Sequence, residues 1–139
     1  MPLRRDGFVS CFSTRVIIYI IIIIIIISTG VRDYIHVMDL SQGHLNAIQY
    51  AETHRKYCVF NLGTGNGYSV LEMLHAMSKA CGKELKHKIM DRRPGDIAVC
   101  YANASLAKKE LGWEAKLALD EMCRDLWAWQ SANPNGFPK

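Results

Sequence analysis

Arginine and aspartate in short turns are the side chains of this 139-residue chain best suited to hold a ligand. Arg92 and Arg93 precede Pro94 and Gly95, and Asp96 follows them; elsewhere Arg32 stands next to Asp33. A guanidinium offers a planar fork of donors to phosphate oxygens. An aspartate three residues on could accept hydrogen bonds from sugar hydroxyls. The same residue types also form plain surface or structural ion pairs, and spacing alone leaves both readings open. Groups for proton transfer or covalent chemistry are scarcer. One recurring acid/base unit is a tyrosine with a lysine four residues later. Tyr19, Tyr34, Tyr50, Tyr57, Tyr68 and Tyr101 are followed at that spacing by Ile23, Met38, His54, Asn61, Glu72 and Ser105, none of them lysine. No Ser/His/Asp or Cys/His arrangement stands out, and the carboxylates do not pair.

The glycine run Gly63-Thr64-Gly65-Asn66-Gly67 follows an apolar stretch and precedes a helical one. A dinucleotide-binding turn has that context, because its glycines admit a pyrophosphate to a helix N-terminus. The third glycine of such a turn would fall at Tyr68, and no acidic residue ends the next strand candidate at Met90. The turn therefore reads as a tight connection before a helix. The five cysteines (Cys11, Cys58, Cys81, Cys100, Cys123) are odd in number and lack C-x-x-C spacing, which suits reduced thiols in a cytosolic protein. The five histidines form no H-x-x-x-H pair. No metal site is expected.

The elements that must carry these groups follow from periodicity and punctuation. Val31 to Val37 alternates as a strand or strand-like loop would. Asp39 is the expected N-cap of a helix over Leu40 to Ala51. Tyr57 to Leu62 reads as a short buried strand. Ser69 and Glu72 form a capping box for a helix that buries Val70, Leu71, Leu74, Met77 and Ala80 and ends at Gly82. Lys86 to Met90 is a further strand, and 92–96 a tight loop around Pro94-Gly95. Asn103 or Ser105 caps a short helix ending at Gly112, and Asp120 caps the last one. The strands are too few for a self-contained sheet.

Residues 1–28 are a different kind of sequence. Val16 to Ile27 is wholly apolar, and Ile20 to Ile27 is unbroken isoleucine. A membrane-spanning helix needs roughly 20 apolar residues, and this run is shorter. A signal peptide would suit Arg4, Arg5 and the run's length, yet no clear small-x-small cleavage site follows. A third reading is translated non-coding sequence, since a homopolymer of one β-branched residue packs poorly and aggregates readily. Over the whole chain the charge is mild, +4 from 17 basic and 13 acidic residues, and scattered. That is far from the footprint of a nucleic-acid binder. The length suits one ordinary domain.

Four stretches together carry a family resemblance: GVRDYIHVMDLSQGH (30–44), VFNLGTGNGYSVLEM (59–73), RRPGDIAVCYANASLAKKELGW (92–113) and LDEMCRDLWAWQSANPNGF (119–137). In order, spacing and tryptophans, residues 29–139 resemble the C-terminal, substrate-binding region of UDP-glucose (UDP-galactose) 4-epimerases. Residues 1–28 do not. The resemblance implies an NAD-dependent isomerase of the extended short-chain dehydrogenase group, with a Rossmann domain and a small α/β substrate domain. Such enzymes move hydride between C4 of the hexose and NAD, with a tyrosine whose pKa a lysine lowers. The tyrosine, the lysine and the NAD fingerprint are expected to lie outside this sequence.

By the same resemblance, Arg32 and Arg93 match arginines that bind the UDP diphosphate, and Asp96 an aspartate on the uridine ribose. Pro94 replaces a more usual glutamate beside Gly95, which stiffens the turn. Cys100 matches a position on the sugar side of the pocket, where a small residue in place of tyrosine goes with room for UDP-N-acetylhexosamines. UDP-galactose and UDP-glucose are the implied substrates, the cytoplasm the implied location, and a homodimer the implied assembly of the complete enzyme. The alternative is a non-catalytic UDP-sugar-binding module tethered to a membrane through residues 16–27.

Overall fold

The computed structural model describes residues 24–27, 30–54, 57–90 and 94–136. Arg92, Arg93 and half of the isoleucine run, 20–23, lie outside the described residues. Among the described residues, four helices and five short strands make a mixed α/β arrangement. The strands β1 (Ile24–Ile27) and β4 (His87–Met90) pair in parallel, Ile24 opposite His87 and Ile27 opposite Met90. Isoleucine's β-branched side chain favours the strand conformation. The second sheet has β2 (Val31–Arg32) in the middle, antiparallel to β3 (Tyr68–Ser69) and parallel to β5 (Val99–Cys100).

Helix α1 (Val37–Thr53) begins earlier than expected, and its cap is His36: the ring Nδ1 accepts from the Met38 amide at 3.1 Å. The His36 Nε2 meets Asp125 Oδ2 at 3.2 Å on the last helix. Asp39 is thus inside the first turn, where it is buried and ties down a distant segment. Its carboxylate accepts from the amides of Lys116 at 2.9 Å and Leu117 at 2.8 Å, and its carbonyl from the Trp113 indole at 2.9 Å. Trp113 and Leu62 close over Gly43, where a β-carbon would lie 3.1 Å from the indole and 2.8 Å from the leucine. The helix can approach its cover only because residue 43 has no side chain.

Helix α2 (Val70–Cys81) matches expectation at both ends. Glu72 and Ser69 exchange side-chain and backbone hydrogen bonds, and Gly82 closes the helix at φ 67°. Leu74, Ala76 and Met77 are buried, whereas Leu71 faces outward. Ala76 and Met77 pack with Cys123 of α4 (Leu119–Ala132), ringed by Met73, Ala80, Leu85, Leu119 and Trp127. That contact is the main core. The expected cap Asp120 is in the first turn of α4 and pairs with Lys79 at 3.0 Å; Glu121 instead reaches back to the Ala118 amide at 2.7 Å. Helix α3 (Ser105–Leu111) starts after Ala104, with Asn103 accepting from the Ser105 amide, and ends at Gly112 as expected.

Two extended stretches differ in how far they pair. Val31 and Arg32 form a strand and the rest of the Val31–Val37 stretch runs as a loop, where His36 begins capping the helix. Tyr57 to Leu62 runs without a strand partner among the described residues, and Tyr57 is 94% exposed. An apolar stretch is buried only where other elements pack over its faces.

Candidate functional site

Arg32 is the centre of the candidate site. In the middle strand it stands opposite Cys100 on β5 and opposite Tyr68 on β3. Its Nη2 donates to Asp96 Oδ1 at 2.7 Å, and its Nη1 to the Val31 carbonyl at 2.8 Å. Arg32 and Asp96 are 64 positions apart, yet the parallel pairing of β2 with β5 brings both to one sheet edge. The pair is half-buried, with 35% and 21% of the two side chains exposed. A guanidinium has five N–H groups, and these two bonds engage two of them. The contact with Asp96 keeps the cation oriented while leaving it accessible to an anion. Gly30, buried beside it, leaves room for the arginine: a β-carbon there would lie 3.3 Å from Arg32 Nη1. Burial raises the pKa of the Tyr34 phenol, and the Arg32 charge opposes that rise.

The sequence-predicted group is brought together in part. Arg32, Asp96 and Cys100 share the β2–β5 edge. Pro94 and Gly95 form the exposed turn leading to Asp96, with Gly95 at φ 81°, a conformation that glycine adopts without strain. Arg93 lies outside the described residues. Recesses of about 480 Å³ beside α2 and about 130 Å³ beside the 64–68 turn are lined without Arg32, Asp96 or Cys100.

One organising residue escaped the sequence reading. The Asp33 carboxylate accepts four hydrogen bonds: from Thr64 N at 3.0 Å, Thr64 Oγ1 at 2.6 Å, Gly65 N at 3.0 Å and Ala102 N at 3.1 Å. These donors lie 31, 32 and 69 positions away, so no local motif announces them. They also decide the glycine turn. Its amides at Thr64 and Gly65 bind Asp33, so the turn does not fit a dinucleotide pyrophosphate. Gly63 is required for another reason: a β-carbon there would lie 2.5 Å from Ala102 Cβ and 2.6 Å from Asp33 Oδ2. Among the described residues the structure offers no seat for a dinucleotide cofactor at this turn.

Comparison with known proteins fits this geometry. A family model described as GDP-mannose 4,6 dehydratase matches residues 28–126. The chain is 59% identical over 109 residues to UDP-glucose 4-epimerase of Bos taurus, covering 78% of this chain and 31% of the relative. It is 57% identical to UDP-glucose 4-epimerase of Bacillus subtilis, covering 78% and 32%. Among solved structures it resembles UDP-glucose 4-epimerase of Bifidobacterium longum in complex with NAD+ and UDP, at 55% identity and a TM-score of 0.71, covering 78% of this chain and 32% of that one. The chain thus spans about a third of the length of the relatives it matches. It belongs to the family described as GDP-mannose 4,6 dehydratase, within which the relatives it resembles are UDP-glucose 4-epimerases.

Proposed function

We propose that this chain is the UDP-sugar-holding part of a UDP-glucose 4-epimerase, which interconverts UDP-galactose and UDP-glucose. The observation that carries the reading is the meeting of Arg32, Asp96 and Cys100 on one sheet edge. Arg32 and Arg93 bind the UDP diphosphate. Asp96 holds the ribose hydroxyls, and the Pro94-Gly95 turn sets its approach. Cys100 lines the sugar side, and its small thiol leaves room for the N-acetyl group of UDP-N-acetylhexosamines. NAD supplies the hydride acceptor of the reaction and is held by residues beyond this sequence, as are the catalytic tyrosine and lysine. The complete enzyme is a cytoplasmic homodimer, and residues 1–28 stand apart from the UDP-sugar-binding unit at 29–139. No helix among the described residues is long and apolar enough to cross a membrane, and no observation favours the tethered, non-catalytic alternative.

Calorimetric titration of UDP tests the binding role. Arg32→Ala removes charge-assisted donors worth about 1.5–3 kcal/mol, so UDP affinity should fall roughly 10- to 100-fold. Unchanged affinity would remove Arg32 from the site. A chimera joining residues 29–139 to the remaining two thirds of the Bifidobacterium longum relative tests the activity. It should convert UDP-galactose and also turn over UDP-N-acetylglucosamine. Cys100→Tyr should abolish the second activity and spare the first. A folded chimera that binds UDP without any turnover would defeat the epimerase assignment.

A further inference from the structure

We infer that Asp33 is a positioning residue for the UDP-binding edge, acting through the strand that carries Arg32. The inference rests on the reading of Arg32, Asp96 and Cys100 as that edge. Main-chain pairing in the three-stranded sheet covers only two residues of each strand. A ladder so short holds register weakly. Asp33 is the next residue after β2, and its carboxylate continues the clamp on both sides. Oδ1 accepts from Thr64 N and Oγ1, and Oδ2 accepts from Gly65 N and Ala102 N. Thr64 and Gly65 lie just before β3; Ala102 lies just after β5. One side chain therefore fixes the middle strand to both neighbours, on the side where Arg32 faces Cys100.

The donors confirm that the carboxylate has a dedicated socket. Three are backbone amides, which cannot turn away. The fourth, the Thr64 hydroxyl, accepts from the Asn66 amide at 3.1 Å and lies closer to Asp33 Oδ1, at 2.6 Å, than to its other acceptor, the Asn66 carbonyl at 3.2 Å, so Asp33 is the better seat for its proton. Gly63 leaves the space: its missing β-carbon would sit 2.6 Å from Asp33 Oδ2. Each carboxylate oxygen serves two donors, and only a group with two acceptor oxygens satisfies all four. Asp33 touches no ligand in this account. It sets where the Arg32 guanidinium stands relative to Asp96 and Cys100.

Calorimetric titration of UDP onto the 139-residue chain tests the inference. Asp33→Asn keeps the volume and one acceptor oxygen but turns an NH2 towards amide donors. UDP affinity is expected to fall about tenfold or more, the scale set by lost or unsatisfied hydrogen bonds. Helical circular dichroism should be retained. A side-chain signature separates positioning from general damage: in ¹⁵N-labelled protein the Arg32 Nε–H resonance should shift on UDP addition, and Asp33→Asn should abolish that shift. If Asp33→Asn does not fold, Thr64→Val, which deletes one donor and keeps the shape, decides instead. It is expected to weaken UDP by a factor of about three, below the tenfold of a full hydrogen bond. Wild-type chain that fails to bind UDP would overturn the functional reading and this inference with it. Wild-type binding matched by a folded Asp33→Asn, or by Thr64→Val where that variant decides, would overturn the inference alone.

Discussion

Residue identity made part of the site legible and hid the rest. Arg32 and Asp96 could be picked out as candidates because arginine and aspartate suit diphosphate and ribose hydroxyls. Their mutual contact at 2.7 Å could not, since it depends on the parallel pairing of β2 with β5. Asp33 was unreadable as a clamp because its donors come from two other segments, and Asp39 was misread as a cap for the same reason. Cys123 offers a test at this scale. It is 2% exposed in the contact between α2 and α4. Burial, and then the Asp120 carboxylate, push its thiol up from 9.0 to about 11. The folded state thus prefers the neutral thiol. Stability from this source is whole below pH 9.0 and is lost as pH rises towards about 11. The urea midpoint should drop between those pH values, and Cys123→Ala should lose that part of the dependence. A disulfide-exchange reagent at pH 8 should modify exposed Cys58 quickly and Cys123 only on unfolding. Early labelling of Cys123 would contradict the packing.

At the scale of elements, local chemistry was the best guide where it closed on itself. The capping box of α2 and the glycines after α2 and α3 depend on neighbours within a few residues, and all three are found as read. Strands depend on partners far away, so the run from Tyr57 to Leu62 was correctly seen as apolar and wrongly seen as buried. The same contrast yields a prediction for α2. Ser69 Oγ accepts from the Glu72 amide at 3.2 Å, and Glu72 Oε2 accepts from the Ser69 amide at 2.7 Å. Ser69→Ala should cost about 1 kcal/mol, read as a lower urea midpoint with an unchanged slope. The hydrogen bonds from Ser69 hold the Glu72 carboxyl below its usual 4.5. Its folded pKa is depressed, so its contribution is present above pH 4.5 and lost as pH falls through the lower folded value. Ser69→Ala should therefore also flatten the acid limb of the stability curve, and an unaltered limb would count against the box.

For the whole molecule, the decisive fact is how little of the surface is finished. Val37, Met38, Leu45 and Ile48 of α1 are exposed, as are Tyr57 and Val59 of the unpaired run and Val99 and Tyr101 around β5. The relatives are about three times as long as the stretch they share with this chain. The groups for chemistry are distributed in the same lopsided way. On the proposed reading, Arg32, Asp96 and Cys100 hold and shape a UDP-sugar. No tyrosine in the sequence has a lysine four residues later. The glycine turn gives its amides to Asp33, so it cannot also cradle a pyrophosphate. Binding without turnover is the outcome expected of this chain. Mixed with NAD and UDP-galactose, the 139-residue chain should form no UDP-glucose, measured by coupling to a UDP-glucose dehydrogenase and following NADH absorbance. Adding UDP to the same sample should still release heat on binding. Steady NADH production that disappears with Arg32→Ala would mean that this chain contains its own acid/base, and the division between holding and reacting would be wrong.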